Sequence, residues 1–356
     1  MSVFSNPAFD KHELVSFHSD EKSGLRAIIA VHNTTLGPGV GGCRMYPYAS
    51  DADALHDVLR LSRGMTYKSA LAGLPLGGGK SVIIGDPHTQ KSRALMEAMG
   101  DFVNSQSGRY VAAEDSGTGV TDIRTMAGRT PYVSGLEDNE HGGDPSPSTA
   151  LGVYLGMRTA AKHRLGVGSL SGLSVAIQGL GHVGFYLARY LVADGATVYG
   201  ADVNRANLEK AVKELGVKAV GVSEILSMEV DILAPCAMGA VLNDESIPCI
   251  RAGIVAGAAN NQLATVDDGL NLEGRGILYC PDFLINAGGI IDVHHQRTGS
   301  GEDVKREHIE RIEITLAEVL RRADENHGQT QLIAESLAEE YLHRVSQRLT
   351  PLKEAC

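Results

Sequence analysis

The chain has 356 residues, 42 of them glycine, and 43 Asp and Glu against 32 Lys and Arg leave a formal charge of −11. That length suits two domains of ordinary size better than one core, and 43% hydrophobic residues with so many glycines fit an alternating α/β protein. The acidic balance, with no long basic run, argues against nucleic acid or an anionic membrane as a partner.

Cys43, Cys236, Cys249, Cys280 and Cys356 are far apart with no CxxC pair, which reads as small buried residues in a reducing cytoplasm. No N-terminal signal pattern appears, and no apolar run is long enough to span a bilayer. The histidines show no metal-ligand spacing, His294 and His295 included, so no metal is expected.

Residues 13–19 and 25–33 read as two β runs joined by a turn at 20–24. Residues 34–48, TTLGPGVGGCRMYPY, hold Gly37, Pro38, Gly39, Gly41 and Gly42 and are expected to be irregular. They form either a plain hairpin loop or a segment whose amides approach a ligand, with Arg44 adding charge. From Asp51, read as an N-cap, apolar residues recur at helical spacing, and Lys68 falls near the C-terminal end of that helix.

The chain is organised around residues 65–80, MTYKSALAGLPLGGGK. Lys68 sits among Met65, Ala70, Leu71, Ala72 and Leu74, and Lys80 opens the apolar strand pattern SVIIGD. Both ammonium groups are therefore expected in a partly desolvated site, and desolvation with a like charge nearby lowers a lysine pKa toward acid–base use near neutrality. A phosphate loop fails on spacing: Leu74 stands where the motif needs glycine, and a strand follows where it needs a helix. A purely structural glycine-rich turn remains the alternative.

A strand over 82–86, a helix over 92–106 and the strand RYVAAED describe a βαβ unit, whose functional groups belong just past the strand ends. Asp115 stands there, placed either to face the two lysines or to cap a helix starting near Gly119. Residues 136–149, rich in Gly, Pro, Ser and Asp, read as a crossing between domains. After a helix at about 148–163, the strand SVAIQ, Gly179, Gly181 and Gly184, an amphipathic helix and a strand ending at Asp202 give the dinucleotide-binding arrangement in full context. Gly179 permits the turn, Gly181 admits a pyrophosphate to the helix N-terminus, Gly184 lets helix pack on strand, and Asp202 accepts ribose hydroxyls and repels a 2′-phosphate. Three further strand-then-loop units follow, with Asn260 and Asn286 as partners for a carboxamide or as ordinary turn formers. Helices at about 303–326 and 329–347 close the chain.

The fold class is thus α/β, with two domains separated by a cleft. Residues 1–140 form an N-terminal α/β catalytic domain, to which the helix within 328–356 returns, and 141–327 form a Rossmann-type NAD-binding domain.

The motifs LGPGVGGCRMYPY, MTYKSALAGLPLGGGK, AAEDSGT, DPSPSTALGVYLGM, AIQGLGHVG, APCAMGAVL, AGAANNQL and PDFLINAGG, in this order, cover nearly the whole chain. Together they resemble the Glu/Leu/Phe/Val amino-acid dehydrogenases, the leucine-type members above all. The resemblance implies reversible deamination of an L-amino acid to its 2-oxo acid and ammonia with NAD. It implies that Lys68, helped by Gly41 and Gly42, binds the substrate carboxylate, that Lys80 polarises the carbonyl and activates water, and that Asp115 shuttles protons. The implied side-chain pocket is Val40, Met65, Ala113, Ile290 and Val293, which favours leucine, isoleucine and valine, then phenylalanine. About the cofactor it places Thr149, Leu180, His182, Val183, Cys236, Ala237, Ala258, Asn260 and Asn286 with the three glycines and Asp202. It also implies a homo-oligomer, an octamer or else a dimer.

Three residues depart from the leucine-type pattern: Ser116, Asp144 and His294. The first two bear on substrate preference. A non-catalytic dinucleotide sensor would have no use for Lys68, Lys80 and Asp115 together. A glutamate enzyme would carry a lysine and a serine where Val40 and Val293 stand.

Overall fold

The computed structural model describes residues 2–136, 143–237 and 239–353. The chain divides into two compact units: Met1–Gly143 with Gln296–Gly299 and Ala338–Cys356, and Asp144–His295 with Ser300–Leu337. The return to the first unit thus begins at Ala338, and a short second segment at Gln296–Gly299 joins it. The expected crossing at 136–149, and the boundary at 140, fall partly or wholly on residues 137–142, outside the described residues.

In the first unit the elements run β1 (Leu14–Asp20), β2 (Leu25–Asn33), β3 (Gly39–Tyr46), α1 (Asp51–Leu71), β4 (Gly77–Ile84), α2 (Arg93–Ser105), β5 (Tyr110–Glu114) and α3 (Val120–Ala127). The sheet order is β1-β2-β4-β3-β5. β1 and β4 run antiparallel to β2, whereas β3 lies parallel between β4 and β5. Strand periodicity sends alternate β2 residues to opposite faces. Ala27, Ile29 and Val31 pack with Met96, Met99 and Phe102 of α2, while Ile28 and Ala30 meet Val58 and Leu59 of α1. A sheet covered on both faces needs a nearly continuous apolar strand, and β2 is buried at all but its second and last residues.

Three local expectations change. Residues 39–46 are a buried strand, not an irregular loop. α1 is capped by Ser50, whose side chain accepts from the Asp53 amide, and Asp51 is its first residue. The run Gly77 to Gly79 is the start of β4 rather than a turn.

The glycines have a packing cause. A Cβ at Gly78 would lie 2.3 Å from the Thr66 amide nitrogen and 2.4 Å from the Ser62 carbonyl of α1. One at Gly41 would lie 1.8 Å from the Gly79 carbonyl. Backbones approach there more closely than any side chain allows.

The second unit holds α4 (Ser146–Leu165), β6 (Ser174–Gln178), α5 (His182–Ala193), β7 (Thr197–Ala201), α6 (Arg205–Leu215), β8 (Lys218–Ala219), β9 (Ile232–Pro235), β10 (Ile254–Val255), α7 (Asp267–Gly274), β11 (Leu278–Tyr279), α8 (Asp282–Ile285), most of α9 (Gly288–Thr298), α10 (Glu302–Asn326) and the start of α11 (Thr330–Lys353). Its sheet has the order β11-β10-β9-β6-β7-β8 and is parallel throughout. The chain steps from β6 to β7 on one side and later to β9 on the other, so β6 borders a topological switch point, where such sheets bind ligands past their strand ends. The expected α/β class and Rossmann-type arrangement are what the structure has.

Candidate active site

β3, β4 and β5 end side by side in the first unit, and the last turn of α1 carries Lys68. Lys68 is 8% exposed and Lys80 4%. Asp115 follows β5 with a side chain 10% exposed, and one carboxylate oxygen, Oδ2, contacts Lys80 Nζ directly. The other, Oδ1, accepts from the Ser116 amide at 2.5 Å and from Arg44 Nε at 3.3 Å. Asp115 therefore spends its side chain on the lysine; Asp122 is the residue whose carboxylate accepts from the Gly119 amide ahead of α3, at 2.9 Å. A Cβ at Gly42 would sit 2.6 Å from the Asp115 Cβ, so the absence of a side chain there makes room for the carboxylate.

Burial lowers the Lys80 ammonium to about 7, and the cations Arg44 and Lys68 push the same way, while Asp57 opposes them. Contact with Asp115 also favours the ammonium form on electrostatic grounds. Burial is the largest cause of the shift, and an ammonium at about 7 exchanges a proton near neutral pH. Cys43, behind Lys80 in the core, has its thiol pushed up to about 11 by burial and takes no part as a thiolate.

Val40 is buried in β3, Met65 is half-buried in α1 against Gly41, and Ala113 is half-buried in β5. Ile290 and Val293, also expected at the pocket, are on α9 in the second unit. Sequence reasoning missed Asp57 and Tyr48. Arg44 Nη1 donates to Asp57 Oδ2 at 2.9 Å, and the Tyr48 hydroxyl donates to the same oxygen at 2.5 Å. The available signal was spacing: Asp57 and Lys68 stand about three helical turns apart and share a face of α1.

In the second unit Gly179 adopts φ +94°, and a Cβ at Gly184 would lie 2.0 Å from the Gly179 carbonyl, so helix packs on loop without a side chain between. Gly181 caps α5 without a side-chain hydrogen bond, and a Cβ there would meet nothing within 4 Å. Such an uncapped helix start beside open space fits a pyrophosphate. His182 is exposed and Val183 half-buried in the first turn of α5, with His182 Nδ1 3.5 Å from Asp144. Asp202 accepts from the Leu180 amide at 2.7 Å and the Asn204 amide at 2.6 Å, which holds its carboxylate beside the glycine loop.

Cys236 and Ala237 follow β9, and Ala237 packs against Gly179. Burial pushes the Cys236 thiol up to about 12, so it serves as shape rather than as a nucleophile. Asn286 Nδ2 donates to the Ala258 carbonyl and to Asn260 Oδ1, each at 3.0 Å, whereas Asn286 Oδ1 is buried without a partner. An orphaned buried acceptor is costly unless a ligand donor reaches it, as a carboxamide would. Thr149 lies in α4 against Gly289, its hydroxyl bonded to the Pro145 carbonyl at 3.1 Å. Among the departures, Asp144 accepts from the Ser146 amide at 2.9 Å, while exposed Ser116 gives its carbonyl to the Met45 amide at 2.9 Å.

A family profile described as "Glu/Leu/Phe/Val dehydrogenase, dimerisation domain" matches residues 12–132, and one described as "Glutamate/Leucine/Phenylalanine/Valine dehydrogenase" matches residues 200–338. Leucine dehydrogenase of Geobacillus stearothermophilus is 44% identical over 353 residues, 99% of this chain and 96% of that protein. The chain belongs to the Glu/Leu/Phe/Val dehydrogenase family.

Valine dehydrogenase of Streptomyces coelicolor is 43% identical over 92% of each chain. The crystal structure of L-tryptophan dehydrogenase from Nostoc punctiforme matches with a TM-score of 0.80 and 40% identity over 95% of this chain and 97% of that one. As a member of the Glu/Leu/Phe/Val dehydrogenase family, the protein is an amino-acid dehydrogenase, an oxidoreductase acting on CH–NH2 donors with a nicotinamide dinucleotide. Among the described residues no helix is long and apolar enough to cross a membrane.

Proposed function

We propose that the protein is an NAD-dependent dehydrogenase of branched-chain aliphatic L-amino acids, in which Lys68 binds the carboxylate, Lys80 activates water and Asp115 shuttles protons. The observation that carries the reading is the buried contact of Lys80 with Asp115, beside an α1 that ends in a second buried lysine. A fixed ammonium orients the substrate carboxylate. A nicotinamide dinucleotide, held by the Gly179, Gly181 and Gly184 loop with Asp202 and Asn286, would supply the hydride acceptor for the substrate Cα. Lys80 in its neutral form takes a proton from the water that attacks the resulting imine carbon, and Asp115 delivers protons to the departing nitrogen until ammonia leaves and the 2-oxo acid remains.

Asp202 supports NAD over NADP, because a 2′-phosphate would meet its carboxylate. Arg205, the nearby cation, is turned to solvent and paired with Glu209 at 2.8 Å. The profile description of residues 12–132 as a dimerisation domain supports a homo-oligomer, which we read as an octamer with a dimer as the alternative. Cys43, Cys236, Cys249 and Cys280 are free thiols, as in the cytoplasm we assign.

Val40, Met65, Ala113, Ile290 and Val293 offer no charge to a side-chain carboxylate, and burying one unpaired costs several kcal/mol. Each buried methylene contributes about 0.8 kcal/mol, which ranks leucine over alanine. L-tryptophan dehydrogenase of Nostoc punctiforme, 42% identical, makes an aromatic substrate the second reading. The test is kcat/KM for leucine, valine, phenylalanine, tryptophan and glutamate, each with NAD and NADP. Leucine or valine with NAD should lead. Glutamate equal to leucine would overturn the pocket, an aromatic above leucine would select the second reading, and NADP equal to NAD would overturn Asp202.

A further inference from the structure

The acid–base pair does not stand alone. Arg44, on β3, bridges the Asp115 carboxylate and the Asp57 carboxylate of α1, with a side chain 20% exposed. Asp57 is in turn held by the Tyr48 hydroxyl at 2.5 Å, and burial with the adjacent Asp57 charge keeps that phenol protonated and donating. The two Asp115 oxygens are thereby divided, Oδ1 toward Arg44 and the Ser116 amide, Oδ2 toward Lys80.

We propose that Arg44 is a positioning residue of the reaction: gripped by Asp57, it orients Asp115 toward Lys80 and adds a fixed positive charge behind the pair. This rests on the reading of Lys80 and Asp115 as the acid–base groups.

The groups facing Lys80 are Asp115 at the end of β5, Arg44 and Cys43 on β3, and Asp57 and Lys68 on α1. Arg44 and Asp57 act on it with opposite signs. The guanidinium disfavours the ammonium form and the carboxylate favours it. A role confined to packing has no such signature. Removal of Arg44 should make Lys80 harder to deprotonate, and removal of Asp57 should make it easier.

The experiment is the pH dependence of kcat/KM for leucine in Arg44→Gln, Arg44→Lys, Asp57→Asn and Asp115→Asn, with NAD binding measured in each. Arg44→Gln should move the acid limb up by about one pH unit and Asp57→Asn should move it down. Arg44→Lys keeps the charge and loses the fork, so the limb should stay while kcat falls roughly 10- to 100-fold. An unmoved limb in Arg44→Gln, or shifts of the same sign in Arg44→Gln and Asp57→Asn, overturns the proposal. Should Arg44→Gln fail to bind NAD, the downward shift in Asp57→Asn decides alone. Near wild-type turnover in Asp115→Asn would instead overturn the acid–base reading itself.

Discussion

Lys68 and Lys80 are both buried, yet their surroundings differ, and the different roles proposed for them rest on that difference. Lys80 is in contact with a carboxylate and has an ammonium lowered to about 7, which suits proton transfer. Lys68 comes from the last turn of a 21-residue helix, a rigid mount for a fixed charge. Lys68→Ala should therefore raise KM for leucine by roughly 10- to 100-fold, the value of a hydrogen bond between charged groups, with a smaller loss of kcat from misorientation. Steady-state kinetics at saturating NAD check this, and a fall in kcat with KM unchanged would remove Lys68 from carboxylate binding. Asp115 was legible in the sequence because strand ends in α/β sheets collect functional groups, and two lysines already marked the site. Asp57 and Tyr48 were harder to find: Asp57 offers only its spacing from Lys68 on one face of α1, and a Tyr in a Pro-containing turn carries no signal until the fold brings Arg44 beside Asp57.

At the scale of elements, the misread stretches are the glycine-rich ones. Glycine lowers strand propensity, so residues 39–46 read as irregular from local rules alone, and a structural turn is the alternative at 77–79. Tertiary packing reverses the inference, because α1 lies so near β4 that only glycine fits at Gly78. The nucleotide-binding half was easier, its glycine spacing, strand and Asp202 each being local features in order.

The packing argument predicts opposite signs for two substitutions, one facing α1 and one within it. Gly78→Ala should destabilise the fold by about 1–3 kcal/mol, as overpacking does, and lower activity by shifting Lys68. Gly64→Ala, in the interior of α1 with nothing within 4 Å of its new methyl, should stabilise by about 0.5–1 kcal/mol. Urea unfolding of both variants distinguishes them, and a neutral Gly78→Ala would mean that α1 can lift from the sheet at no cost.

For the molecule as a whole, the acid side of the stability curve has a specific origin in a buried histidine pair. His32, near the end of β2, sits 4.8 Å ring to ring from His12 and bonds Thr66 Oγ1 through Nδ1 at 2.9 Å. Burial lowers His32 from 6.5 to about 4, His12 and Arg63 push the same way, and Asp10, 3.9 Å away, only partly opposes them. The folded state therefore resists a proton that the unfolded chain accepts. The stabilisation is complete above pH 6.5 and is lost as pH falls toward 4, by about 2 kcal/mol at pH 5 and about 3 at pH 4. Most carboxylates titrate below this window, so the histidine contribution can be read separately near pH 5. Urea midpoints at pH 7.5 and pH 5 should differ clearly in the wild type and by much less in His32→Asn, which keeps a polar partner for Thr66. Equal pH dependence in the two proteins would show that His32 takes up its proton without opening the packing of α1 against the sheet, the packing on which the position of Lys68 depends.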